Sequence, residues 1–362
     1  MKLPSHGANP QYLYEALNLA LPDKFIDFSA NINPLGPPES IKENWNGFYQ
    51  DILTYPDPYG LKLKEAIAEK EGIPVESLMI GNGGAELIAL VGRKLAGKKV
   101  LIIQPAFSEY EAACRANGCE VIYHQLKEPD FSFDLDEFRS KAATADAVFL
   151  CNPNNPTGIP FSSPLLLSIL EECEKLSCIV IVDEAFYDFL EEYDSCFPYI
   201  HQYSKLLIIR SMTKMFAIPG IRLGYLAASP AVIAELSYLQ SHWSINSIAL
   251  EAGVLCLKAD SFLLKTKEFI AQERNRLFQF YMACQFQVSA SKVNFYLFRD
   301  PNCENQFELF NYLLQYGIIP RHTFNFPGLE GQWLRFAIKG KEDNDQLMEV
   351  LRHWRMCHPS SL

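Results

Sequence analysis

Short apolar runs alternate with amphipathic stretches along most of this chain. Leu78–Ile80, Val100–Ile103, Val121–Tyr123, Ala147–Leu150, Ile179–Val182 and Leu206–Ile209 are runs of three or four mostly aliphatic residues. Unbroken apolar runs of that length suit strands buried on both faces, as in a parallel sheet. Between them, helical patterns cover Leu61–Glu71, Leu87–Leu95, Ser108–Asn117 and Pro164–Leu176. The alternation predicts an α/β protein whose mostly parallel sheet carries helices on both faces. A long helical region from Ala231 to about Tyr281 is interrupted at His242–Asn246. Strands at Phe295–Phe298, Gly317–Pro320 and Trp333–Ile338 then alternate with helices at Glu308–Gln315 and Asn344–Trp354, which predicts a smaller α/β domain. The first stretch, to about Pro74, is irregular and rich in proline and asparagine, with one short helical pattern from Gln11 to Leu21. An arm so polar and so aromatic suits packing on something else, a partner subunit being one candidate.

In a mostly parallel sheet, ligands bind beyond the carboxyl ends of the strands. Several reactive or unusual residues stand at such ends. The run Leu206–Ile209 leads into Arg210-Ser211-Met212-Thr213-Lys214-Met215-Phe216 and then Pro219-Gly220-Ile221-Arg222. A lysine among apolar neighbours loses proton affinity through desolvation and becomes a nucleophile toward carbonyls. Two hydroxyls and an arginine beside it suit a phosphate group. An aldehyde bearing a phosphate is pyridoxal phosphate, whose protein partner is a Schiff-base lysine. The plainer alternative is a surface lysine before a Pro-Gly turn.

Other strand ends add features that are ambiguous singly. Gly81-Asn82-Gly83-Gly84-Ala85 precedes a helix, where backbone N–H groups and the helix dipole favour an anion, although any tight turn also needs glycine. Phe107 could stack on a flat ring or fill the core. Asn155 lies in the turn Asn152–Gly158. Asp183-Glu184 follows an apolar strand; one carboxylate could pair with a pyridinium nitrogen, or both could serve as a helix cap or a loop ion pair. Tyr55, held extended before Pro56, could reach a ligand or pack in its loop. In the C-terminal part, Arg321 and Arg335 could clamp two anionic groups of a substrate.

Composition narrows the setting. The 362 residues are 49% hydrophobic, enough for a sizeable core and two domains. With 32 basic and 43 acidic residues the net charge is −11, which disfavours nucleic acid and anionic membranes as partners. No apolar run reaches the length of a membrane span, and the start lacks the apolar core of a secretory signal. Ten cysteines without a Cys-x-x-Cys pair read as reduced core residues of a cytoplasmic protein, with no metal site indicated.

From Gly81 through Asn155–Gly158, Asp183-Glu184-Ala185 and Ser211-x-Thr213-Lys214 to Arg222-x-Gly224-Tyr225, the order and spacing of motifs resemble pyridoxal-phosphate enzymes of the aspartate-aminotransferase fold, type I. The resemblance covers essentially the whole chain and is strongest to the branch of histidinol-phosphate aminotransferases and threonine-phosphate decarboxylases. Ser5-His6-Gly7-Ala8-Asn9, Asp27–Gly36, Ala217–Gly220 and Trp243–Asn246 resemble the decarboxylases of cobalamin biosynthesis, with Ala8 where a second glycine is common. It implies a large domain with a seven-stranded sheet over residues 41–255, a small domain over 256–362, and an arm, 1–40, serving the small domain and a homodimer with shared active sites.

Carried over by position, the resemblance implies that Lys214 forms the Schiff base, Asp183 pairs with the ring nitrogen, Asn155 bonds the ring oxygen and Phe107 stacks on the ring. Gly84, Ala85, Ser211, Thr213 and Arg222 would hold the cofactor phosphate, with Tyr55 arriving from the neighbouring subunit. Arg335 would take a substrate carboxylate. Arg321 and His6, the latter also from the neighbour, would meet a substrate phosphate, and Asn31 and Asn155 would line the same site. The implied reaction is decarboxylation of threonine O-3-phosphate. The alternatives are histidinol-phosphate transamination and a serine-phosphate variant. Phe186 stands where many aminotransferases carry tyrosine, with Tyr187 one place later.

Overall fold

A computed structural model describes residues 3–192 and 195–358. Seven strands form the main sheet in the spatial order Leu78–Gly81, Gly224–Ala228, Leu206–Ser211, Ile179–Asp183, Ala147–Cys151, Lys99–Gln104, Glu120–Gln125. Only Gly224–Ala228 runs against its neighbours; the remaining pairs are parallel. The inner strands are buried on both faces, which is why they read as unbroken apolar runs rather than alternating ones. One face packs on helices Gly83–Lys94, Ser108–Ala116 and Pro230–Ser237, with Phe149, Ile181 and Ile209 between. The other face merges into the core of the C-terminal part.

That part carries a four-stranded antiparallel sheet ordered Arg321–His322, Leu334–Ala337, Phe295–Arg299, Gln287–Val288. Of the segment expected as one strand, Gly317–Pro320, only Ile318–Ile319 is strand, and a second short strand, Arg321–His322, follows it in another sheet. Ile318–Ile319 pairs in parallel with Ile26–Asp27 of the N-terminal segment, and Arg321–His322 pairs with Leu334–Arg335. Pro320 stands at the changeover, where it has no N–H to give to either ladder. The N-terminal segment is thereby tied to the C-terminal part through a separate two-stranded sheet. Its helix is shorter than expected, Pro10–Ala16, because Asn18 turns into the left-handed region at φ 54°.

Elsewhere helix Leu61–Glu71 has the expected bounds. The helix expected from Leu87 starts at Gly83, so the glycines form its first turn instead of a preceding loop. The 24-residue helix Asp260–Ala283 leads into the small sheet. All ten cysteines are free. No helix among the described residues is long and apolar enough to cross a membrane.

Candidate active site

The carboxyl ends of the parallel strands open into a cavity of about 330 Å³. Every site residue expected from the sequence lines it except Tyr55. Tyr55 is 82% exposed and lies against Trp243 with ring centroids 5.2 Å apart.

At one end the first turn of helix Gly83–Lys94 presents Gly84 and Ala85 to the cavity. Orphan N–H groups and the helix dipole make this turn attractive to an anion. Ser211 and Thr213 lie opposite, their hydroxyl oxygens 2.8 Å apart. Arg222 completes the cradle. Its guanidinium packs so close to Gly83 that a Cβ there would stand 2.5 Å from Nη2. Gly224 is equally constrained, since a Cβ would come within 3.1 Å of the Gly84 nitrogen. Arg222 itself has φ +64°, a strained conformation of the kind that gathers at functional sites. It makes no ion pair among the described residues; its one hydrogen bond is to the Pro219 carbonyl at 3.2 Å. Helix turn, two hydroxyls and unpaired arginine fit a phosphate ester.

In the middle stand Asp183 and Lys214. Asp183 ends its strand and is buried. Its Oδ1 accepts from the Ala185 N–H at 3.0 Å and its Oδ2 from the Tyr110 hydroxyl at 2.6 Å. Burial raises its carboxyl to about 6, with those two hydrogen bonds pulling the other way. Lys214, in the turn Met212–Met215, opens onto the cavity, and its amine makes no hydrogen bond or ion pair among the described residues. Desolvation lowers its amine to about 8, helped by Arg335 and Arg222 and opposed by Asp183. An amine so tuned has a usable neutral fraction near neutral pH. Phe107 presents its ring to the cavity, edge-on to Tyr110 at 5.9 Å.

At the far end are two buried arginines. Arg321 and Arg335 are register partners on adjacent antiparallel strands. Arg335 donates from Nη1 to Asn155 Oδ1 at 2.7 Å and from Nη2 to the Ser29 carbonyl at 2.7 Å, leaving Nε without an acceptor. Arg321 donates from Nη2 to the Ser5 carbonyl and to Asn325, each at 2.6 Å, leaving Nη1 without one. Neither has a carboxylate within ion-pair distance among the described residues. Burial pulls Arg335 down to about 9 and Arg321 to about 10. Asn31 adds a buried side-chain oxygen with no donor.

His6 departs from expectation. Its own chain's arm folds over its own cavity, and this chain's His6 lines that cavity. Arg321 holds the Ser5 carbonyl, the Ala8 N–H donates to Ser29 Oγ at 2.9 Å, and His6 Nε2 meets Glu109 at 2.9 Å. These contacts leave its ring 5.9 Å from that of Phe107. Tyr187 is no substitute for a tyrosine at 186. Its ring lies under the Arg210 guanidinium at 3.1 Å, away from the cavity, while Phe186 lines the cavity and packs edge-on against Phe295. The sequence reading missed Tyr110, the hydroxyl on Asp183. Its spacing of three from Phe107 on the same first helical turn was the available signal.

The chain matches the family model of class I and II aminotransferases over residues 23–351. It is 35% identical over 356 residues to the threonine-phosphate decarboxylase of Salmonella typhimurium, covering 96% of each chain. It is 34% identical over 341 residues to a histidinol-phosphate aminotransferase of Desulfitobacterium hafniense, covering 92% of each. Among solved structures, the histidinol-phosphate aminotransferase of Clostridium acetobutylicum superposes with a TM-score of 0.86 at 32% identity, over 91% of this chain and 99% of that one. With its sheet order, strand-end lysine and near-complete coverage, the chain belongs to the class I and II aminotransferase family.

Proposed function

We propose that this protein uses pyridoxal phosphate to decarboxylate threonine O-3-phosphate, releasing CO2 and 1-aminopropan-2-ol phosphate. The observation that carries the reading is the pair of buried guanidiniums, Arg321 and Arg335, which line one cavity with Lys214 and have no carboxylate within ion-pair distance among the described residues. Two buried cations without acidic partners cost stability in the empty protein. A substrate with two anionic groups, a carboxylate and a phosphate, supplies the missing counter-charge.

The cofactor phosphate would be held by the Gly84 and Ala85 N–H groups, Ser211, Thr213 and Arg222. Lys214 would take the aldehyde, Asp183 the ring nitrogen, Asn155 the ring oxygen and Phe107 a ring face. When bound, this cofactor supplies an electron sink for the pair left on Cα when CO2 departs. The protein's own residues choose the bond. Arg335 takes the carboxylate, and Arg321 with His6 takes the phosphate. Fixing the substrate at both ends orients the groups on Cα and gives binding energy to hold that orientation. The Cα–carboxyl bond breaks, CO2 leaves, and Lys214 Nζ is the acid placed to return a proton to Cα. Tyr110 and the Ala185 N–H keep Asp183 ionised against its burial. We further propose that Tyr55 serves the cofactor phosphate of a second copy, since its own chain's cavity does not use it.

The test is CO2 release from threonine O-3-phosphate with no keto acid present. Stoichiometric CO2 with 1-aminopropan-2-ol phosphate is expected. No CO2 from threonine O-3-phosphate, with turnover of histidinol phosphate only when 2-oxoglutarate is present to accept the amino group, would replace this reading with transamination. Serine phosphate run alongside measures the value of the methyl group, roughly 10–200-fold in a fitted pocket.

A further inference from the structure

The stretch Asn31–Gly36 looks in sequence like a simple turn, but one of its residues is tied to the reactive lysine. Asn33 is buried, and its backbone N–H donates to the Lys214 carbonyl at 3.1 Å. Its side-chain amide donates to the Met215 carbonyl at 2.8 Å and to Thr266 Oγ1 at 2.9 Å. Its side-chain oxygen accepts from the Leu35 N–H at 3.0 Å. With its own carbonyl accepting from the Gly36 N–H at 3.4 Å, all four of its polar groups are committed to one arrangement. Lys214 and Met215 end a single helical turn, Met212–Met215; the Lys214 carbonyl also accepts from the Ala217 N–H at 3.4 Å, while the Met215 carbonyl accepts from Asn33. The asparagine caps that turn from outside, and Thr266, on the long helix Asp260–Ala283, backs it.

We propose that Asn33 is a positioning residue for Lys214: it fixes the lysine backbone so that the amine meets an aldehyde seated in the phosphate cradle. A lysine side chain has four rotatable bonds, and among the described residues its amine has no hydrogen-bond or ion-pair partner, so the placing of Nζ rests on its backbone anchor and the cavity wall. The same arm is held at the other end by the substrate arginine, through the Ser29 carbonyl that accepts from Arg335. Asn33 therefore also sets the offset between the amine and the substrate-binding end. The inference rests on reading Lys214 as the amine that condenses with the cofactor aldehyde. In that step the C=N bond forms, the C=O bond breaks, and the oxygen leaves as water.

The test uses two ligands of the unliganded full-length protein. Pyridoxal 5′-phosphate needs both cradle and amine; pyridoxamine 5′-phosphate has no aldehyde and needs the cradle alone. Covalent capture of the first is followed by its Schiff-base absorbance, and affinity for the second by equilibrium titration. Asn33→Ala is expected to slow capture by about tenfold or more, since small misplacements of reacting groups are costly. Its affinity for pyridoxamine phosphate stays within about twofold, because the cradle is untouched. Thr266→Val moves capture the same way by less, and Thr266→Ser restores it; these two decide the matter if Asn33→Ala does not fold. Equal weakening of both ligands, or unchanged capture in both Asn33→Ala and Thr266→Val, overturns the proposal. Lys214→Ala separates the premise: it should bind pyridoxamine phosphate and capture no aldehyde. Covalent capture by Lys214→Ala would overturn the lysine assignment instead.

Discussion

The two ends of the cavity are built on different plans. The cradle of Gly84, Ser211, Thr213 and Arg222 is made at strand ends and one helix start, all within a single sheet. The arginine end is assembled from an N-terminal arm, a short strand that changes sheets, and its register partner. The first plan makes a rigid anion site that exists before any ligand arrives. The second holds two desolvated cations by backbone and amide oxygens, with no carboxylate within ion-pair distance among the described residues. A cofactor site needs permanence and a substrate site needs discrimination, and on the proposed function the two ends would divide those tasks.

The bluntest way to break this division is to remove the one group serving both ends. Lys214→Ala should lower kcat by at least about 10²–10⁴-fold, the range for a lost proton-transfer group, measured as CO2 release. Retained turnover would mean that neither end is aimed at position 214.

Next come the arginines, which should fail differently. Arg335→Ala leaves the substrate carboxylate unheld and should cost about 2–5 kcal/mol in kcat/KM, mostly in kcat. Arg321→Ala should raise KM for the phosphorylated substrate more than it lowers kcat. If both variants raised KM alone, the arginines would be binding groups only, with no part in choosing the bond that breaks.

This difference between the ends also decided how much could be read in advance. The cradle was legible because Gly84, Ser211 and Thr213 follow apolar runs and Arg222 precedes one, and the sheet brings such positions together. The arginine pairing was not. It depends on Pro320 switching the chain between sheets, which shows only in the register of Arg321 on Arg335. His6 was assigned to a neighbour because no local pattern reports that Ser5 and Ala8 are held over their own cavity. Asn33 read as a turn residue since its partners Lys214, Met215 and Thr266 are some 180 to 230 positions away in sequence. Tyr110 was hidden in an ordinary amphipathic helix. Long-range hydrogen bonds leave no periodicity, whereas strand ends do.

The centre of the cavity gives a test in pH. Burial holds the Asp183 carboxyl near 6 against an ordinary 3.8. A carboxyl that binds its proton more tightly when folded stabilises the fold fully below the lower value. That stability is lost as pH rises through the upper one. The unliganded protein should therefore lose about 3 kcal/mol between pH 4 and 6 from this group. Lys214, held near 8 against 10.5, acts in the other direction at high pH, its penalty being relieved as pH rises from 8 toward 10.5. Asp183→Asn should flatten the acid-side loss in chemical denaturation series and leave the alkaline limb unchanged. Loss of both limbs together would show that the two groups titrate as one unit.

The smallest expected effect lies in the arm. Ala8 adopts φ +71°, a left-handed conformation that costs an L-residue with a Cβ roughly 1–2 kcal/mol. Its N–H is held there by Ser29 Oγ, and its neighbours carry His6 and the Ser5 carbonyl to Arg321. Ala8→Gly removes the strain but loosens the unfolded arm, so the net gain should be near 1 kcal/mol at most. If the arm closes the substrate end as a unit, that gain should appear as a lower KM for the phosphorylated substrate, with cofactor affinity unmoved. Equal shifts in both constants would mean that the arm braces the whole cavity, and the division between the two ends would not hold.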